Sequence, residues 1–151
     1  MTPAQLTALA ATITADTTLA AYAALNEFPQ IATAMNVATA TLVWMPNVPT
    51  SAILSAILVA DMAALTAPQL AYLQMLLTVG TVDATNANVR ANFSALFAGK
   101  TSLSNLISVS ARAATRFEAL AGFITVATPN NVSAVYGLGV SAADVQLALG
   151  K

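Results

Sequence analysis

Histidine and cysteine are both missing from this 151-residue chain. Their absence excludes Ser–His and Cys–His nucleophilic catalysis, disulfides, and zinc sites of the usual nitrogen and sulfur ligands. Charge is almost as scarce. Five basic and six acidic residues, 7% of the chain, leave a formal net charge of −1, so no electrostatic footprint exists for a phosphate backbone and nucleic-acid binding is not expected. The carboxylates Asp16, Glu27, Asp61, Asp83, Glu118 and Asp144 are dispersed, none standing three or four residues from another. Each reads as a cap, a first-turn charge or a loop residue rather than half of an acid–base pair. Gly137-Leu138-Gly139 lacks the third glycine and the lysine of a phosphate loop. No enzyme, cofactor or metal site is therefore expected.

Long apolar runs are also lacking, although 58% of residues are hydrophobic and the mean hydropathy is +0.74. A membrane-spanning helix needs about 18 or more consecutive apolar residues. The run from Ala52 to Ala60 meets Asp61 and then Thr66, Pro68 and Gln69, and Leu70 to Val79 is too short by itself. No Lys/Arg cluster sets a membrane orientation, and the amino terminus lacks the basic start and apolar core of a signal peptide. The hydropathy is largely alanine, whose side chain is a single methyl. Cysteine-free chains occur in both reducing and oxidising compartments, so redox environment stays open.

What the chain does carry is a recurring helix-start signal. Thr2-Pro3-Ala4-Gln5, Thr66-Ala67-Pro68-Gln69, Thr115-Arg116-Phe117-Glu118 and Ser141-Ala142-Ala143-Asp144 each place a capping hydroxyl three residues before a side chain that can reach back. Asp16 and Asn86 read as further caps, Pro29 as a first-turn residue, and Thr50 or Ser51 as the start of a helix with Ile53, Leu54, Ile57 and Leu58 on one face. The first two helices turn Leu6, Leu9 and Ile13, then Leu19, Tyr22 and Leu25, inward. A helix from Asn86 presents Val89, Phe93, Leu96 and Phe97 and stops at Gly99; one from Thr101 turns Leu103, Leu106 and Ile107 inward and Ser102, Asn105 and Arg112 outward. The stretch from Thr66 to the stop at Gly80 is apolar almost right round, with Gln69, Gln74 and Thr78 as its only polar strip, and it is expected to be the enclosed hub of the core. Met35, Met45, Met62 and Met75 read as core filler.

The period changes to two from Thr39 to Met45, the best strand candidate. Pro46 and Pro49 then hold Asn47 and Val48 extended. This segment, Trp44, Met45, Pro46, Val48 and Pro49, is a candidate partner interface, together with Phe123 and Tyr136 in the weakly patterned stretch from Phe123 to Val140. Trp44 has two readings, a rigid projecting knob or a lid closing over the helical core. Thr81 to Thr85 reads as a short polar connection. Arg112 and Arg116 would share a small positive patch if one helix continued through Thr115.

Gln69-Leu70-Ala71-Tyr72-Leu73-Gln74, Gly80-Thr81-Val82-Asp83, Asn88-Val89-Arg90, Thr115-Arg116-Phe117-Glu118-Ala119-Leu120 and Val140-Ser141-Ala142-Ala143-Asp144-Val145, taken together, resemble small alanine-rich proteins of tailed-bacteriophage and prophage structural gene modules. The likeness covers roughly residues 40–150. It implies a virion part, at the capsid surface, neck or tail, assembled in the host cytoplasm and partnered by other virion proteins. The alternatives are an intracellular assembly or binding module and a small membrane-active protein of the holin type.

The expected fold is therefore all-α: a single compact helical domain over 1–151 with about six to eight short helices and at most a minor β-hairpin. Scarce charge adds an expectation of its own. A surface with so few like charges does little to hold copies apart, so homo-oligomer formation is expected.

Overall fold

The computed structural model describes residues 1–120 and 139–151. Among these it is mostly helical, with nine helices and four short strands. The elements are α1 (Pro3–Ala15), α2 (Thr17–Ala24), α3 (Phe28–Met35), β1 (Ala38–Trp44), β2 (Val48–Pro49), α4 (Thr50–Ala56), α5 (Val59–Met62), α6 (Ala67–Leu77), β3 (Thr81–Val82), α7 (Ala87–Phe97), α8 (Thr101–Ser110), β4 (Ala111–Thr115) and α9 (Ala142–Ala148). The strands form two pairs, β1 with β4 and β2 with β3, so the fold is helical without being strictly all-α.

The caps act largely as their chemistry dictates. Thr2 N–H donates to Gln5 Oε1 at 2.6 Å and Gln5 N–H donates to Thr2 Oγ1 at 3.3 Å, a complete capping box at the start of α1. Asp16 Oδ1 accepts from the N–H groups of Thr18 and Leu19 at the start of α2. Asn86 does the same for Asn88 at α7, and Ser141 pairs reciprocally with Asp144 at α9. Gly80 and Gly99 adopt φ of +78° and +70°, the left-handed stops that follow α6 and α7.

Two departures have identifiable causes. The helix from Thr50 breaks at Ile57, which is extended, because the Leu58 N–H donates to the Ser102 hydroxyl at 2.9 Å instead of continuing the helix. Ser102 is consequently buried, not outward. The second departure is at Thr115-Arg116-Phe117-Glu118, where both box bonds form, Thr115 N–H to Glu118 Oε2 at 2.9 Å and Glu118 N–H to Thr115 Oγ1 at 3.2 Å. No helix follows. The N–H groups of Arg116 and Phe117 donate to the carbonyls of Val37 and Met35, so the box closes a turn after β4. Residues 111–115 being a strand, Arg112 and Arg116 share no helical face.

Contacts divide the described chain into two units, one of residues 1–41, 113–120 and 139–151, the other of residues 42–112. In the first, α9 packs on α1 and α3, burying Leu9, Ile13, Leu19, Ile31, Met35 and Val145. The Asn36 amide grips Val140 from both sides, Nδ2 donating to its carbonyl at 2.7 Å and Oδ1 accepting its N–H at 2.8 Å. Gly139 sits at φ +71°, and a β-carbon there would meet Asn36 Oδ1 at 3.0 Å. Leu25, expected inward, is 70% exposed because α2 ends at Ala24.

In the second unit α4 packs on α6 and α8, and α7 on α8, around Trp44, Ile53, Leu73, Phe93, Phe97 and Leu106. Thr81 and Val82, expected in a polar connection, form β3 and pair antiparallel with β2, Val48 opposite Val82 and Pro49 opposite Thr81. Val82 and Ala84 are buried. The expected hub is corrected most. Of α6 only Leu73 is buried, and Met75, expected as core filler, is 62% exposed. Its cap is as written, the Thr66 N–H donating to Gln69 Oε1 at 2.9 Å.

Candidate functional site

Trp44, the most conspicuous interface candidate, is turned into the core of its unit and does not project. The Arg90 guanidinium lies over its ring, 5.5 Å from the centroid, and donates to the carbonyls of Ala84 and Thr85. That arrangement combines a cation–π contact with the closing of the turn ahead of α7. Val48 is fully buried in β2. Both backbone groups of Met45 are used, its N–H donating to Ser110 and its carbonyl accepting from Ala84. Met45 and Pro46 are half-buried and Pro49 is exposed, so only the rim of this segment reaches solvent. Phe123 and Tyr136, with the rest of residues 121–138, lie outside the described residues.

Several apolar side chains that do face solvent, Leu25, Leu54, Leu58 and Met75 among them, are ones that the sequence reading assigns to the core. In the second unit the exposed ones include Leu42, Leu54, Leu58, Val59, Met75 and Val79, with Val59 77% and Val79 63% exposed. Met75 and Val79 stand four residues apart, opposite in character to the buried Leu73. A signal for them was present in the sequence: between Glu27 and Asp83 the single charged residue is Asp61. Exposed leucine, valine and methionine in so weakly charged a stretch are what a contact surface offers a partner.

Helix hydroxyls in both units are already engaged. Helical hydroxyls of Thr7, Thr12, Thr14, Thr33 and Ser55 donate to carbonyls four residues back, and Thr78 to Met75. Their protons are directed into their own helices and their methyl or methylene groups remain outside, which lowers the hydration lost on covering such a surface.

Asp61 is likewise committed. Its carboxylate accepts from the Ser102 hydroxyl at 2.7 Å and the Ser102 N–H at 3.0 Å, capping α8 from another element because Lys100 offers no capping side chain. The Ser102 hydroxyl, followed by its backbone N–H, holds the Asp61 carboxyl below the ordinary aspartate range. The Arg116 side chain does the same for Asp16, and the Ser141 hydroxyl for Asp144. A carboxyl depressed in the folded state binds protons more weakly than in the unfolded chain. Its stabilisation is therefore complete above the ordinary aspartate range and is lost as pH falls through the depressed value. The thermal midpoint should stay level from neutral pH down to that range and then drop, and Asp61→Asn should flatten part of the drop. A midpoint that rises on acidification would contradict this assignment.

Among the described residues no group of three acidic side chains is placed to hold a metal ion, and no helix is long and apolar enough to cross a membrane. No protein-family model, curated protein or solved structure matches this chain.

Proposed function

We propose that this protein is a non-enzymatic structural subunit that works through protein–protein contacts, as a virion part of a tailed bacteriophage. The observation that carries the contact role is the set of exposed apolar side chains of the second unit, among them Leu54, Val59, Met75 and Val79, on a chain with 7% charged residues. Such a surface supports association with a second copy in particular. Isologous contact sets a patch against itself, which brings like charges together unless the patch has none. The virion assignment is supported by the likeness of residues 40–150 to proteins of phage structural modules.

Sedimentation equilibrium tests the contact role. The protein should self-associate, and Val59→Ser with Met75→Ser should shift it to monomer while leaving unfolding free energy within about 0.5 kcal/mol, as surface substitutions do. A chain that stays monomeric at high concentration would remove self-association. Mass spectrometry of purified particles tests the virion assignment, which requires stoichiometric amounts of this chain.

A further inference from the structure

Each unit carries an open, uncharged cleft built from the same kit of side chains, and we propose that these clefts are sites for a neutral saccharide. This goes beyond the contact role and does not depend on it. In the second unit Pro68, Gln69 and Tyr72 of α6 form one wall and Asn92, Ala95 and Leu96 of α7 the other, around about 260 Å³. In the first, Tyr22 of α2 faces Pro29, Gln30, Thr33 and Ala34 of α3 around about 550 Å³. A proline–glutamine pair from the first turn of a helix meets a half-buried tyrosine in both, although the tyrosine comes from a different place in each.

The hydrogen-bonding state of these groups defines the ligand. Asn92 Nδ2 donates to Tyr72 Oη at 2.7 Å, so the phenol oxygen is an acceptor there and its proton is left to donate. Gln69 Oε1 takes both the N–H and the hydroxyl of Thr66, which leaves the Gln69 amide NH₂ as a donor. The Asn92 carbonyl oxygen remains an acceptor. In the other cleft the Thr33 hydroxyl proton goes to the Pro29 carbonyl at 2.9 Å, leaving its oxygen to accept. Donors and acceptors thus stand together beside an aromatic ring and aliphatic walls.

Among the described residues no charged side chain lines either cleft, so neither an anion nor a cation finds a counter-charge. A purely apolar ligand would strip these amides and hydroxyls of water without replacing it. A peptide in extended form presents its backbone groups at intervals of about 3.3 Å along a line, with one donor and one acceptor per residue. A sugar ring instead offers several vicinal hydroxyls, each donor and acceptor, on one edge, and a C–H face for the tyrosine and proline. Mixed polar groups converging in a small, mainly apolar cleft match that chemistry best.

The test is saturation-transfer NMR and calorimetric titration of the full chain with methyl α-glucopyranoside, methyl β-galactopyranoside and N-acetylglucosamine, with glucuronate and a proline-rich peptide as contrasts. At least one neutral sugar should bind. Tyr72→Phe, which keeps the ring, and Gln69→Glu, which keeps the capping oxygen, should together weaken the α6–α7 site about tenfold, the equivalent of one good hydrogen bond. Gln30→Ala should weaken the other site, and circular dichroism should show each variant folded. The proposal is overturned by no response to any neutral sugar, by binding that these three substitutions leave unchanged, by preference for glucuronate, or by a response to the peptide alone.

Discussion

Replacing Phe97 with alanine should lower the unfolding free energy by about 3–5 kcal/mol, the range for truncating a fully buried phenylalanine. The expectation is built from local sequence upward. Asn86 starts α7 and sets its register, which places Phe93 and Phe97 one turn apart on a single face. The chain turns extended at Ala98, Gly99 takes a left-handed φ, and the Lys100 N–H returns to the Phe97 carbonyl at 3.0 Å. The ring is thereby held at the helix end, wholly buried, in the same cluster as Ile53, Leu73 and Leu106. Those neighbours belong to three other helices, α4, α6 and α8, and none can slide into the vacated volume without leaving its own packing. Both the lost transfer energy and the residual cavity therefore count. Since a domain is typically stable by about 5–15 kcal/mol, the loss should be plain in urea unfolding followed by circular dichroism. A cost under about 1 kcal/mol would show that α7 is not held in the core as described.

The second large effect separates two neighbours on α6. Leu73→Ala should cost about 2–5 kcal/mol, while Met75→Ala should change stability by no more than about 0.5 kcal/mol. Leu73 is buried against the core and Met75 lies on the outer face. An enclosed helix would penalise both substitutions. Equal, large costs would restore α6 to the centre of its unit, and a negligible cost at Leu73 would detach it altogether.

The reason α6 misleads a reader of the sequence is general to this chain. Hydrophobic periodicity locates a core by contrast with a polar face, and here alanine, threonine and serine dilute that contrast on every helix. Leu54 and Leu58 read as core partners of Ile53 and Ile57, yet they are exposed. The candidate interface shows the converse. Trp44 and Val48 looked prominent beside two prolines and are buried, because Arg90 from α7 stacks on the one and β3 pairs with the segment holding the other. Neither partner is near in sequence. The absence of charge between Glu27 and Asp83, apart from Asp61, was the part of the exposed surface legible in advance.

The sequence by itself determined where the locally capped helices begin and where α6 and α7 stop. Caps such as Thr2 with Gln5, Asp16, Asn86 and Ser141 with Asp144, and stops such as Gly80 and Gly99, act within four residues of themselves, so their chemistry is complete before any tertiary contact forms. Tertiary structure alone decided the two strand pairs, the break at Ile57, and which apolar faces are covered. The break at Ile57 shows why: the helix that starts at Thr50 carries no local stop there, and its end is set by the Ser102 hydroxyl, 44 residues away in sequence, which takes the Leu58 N–H.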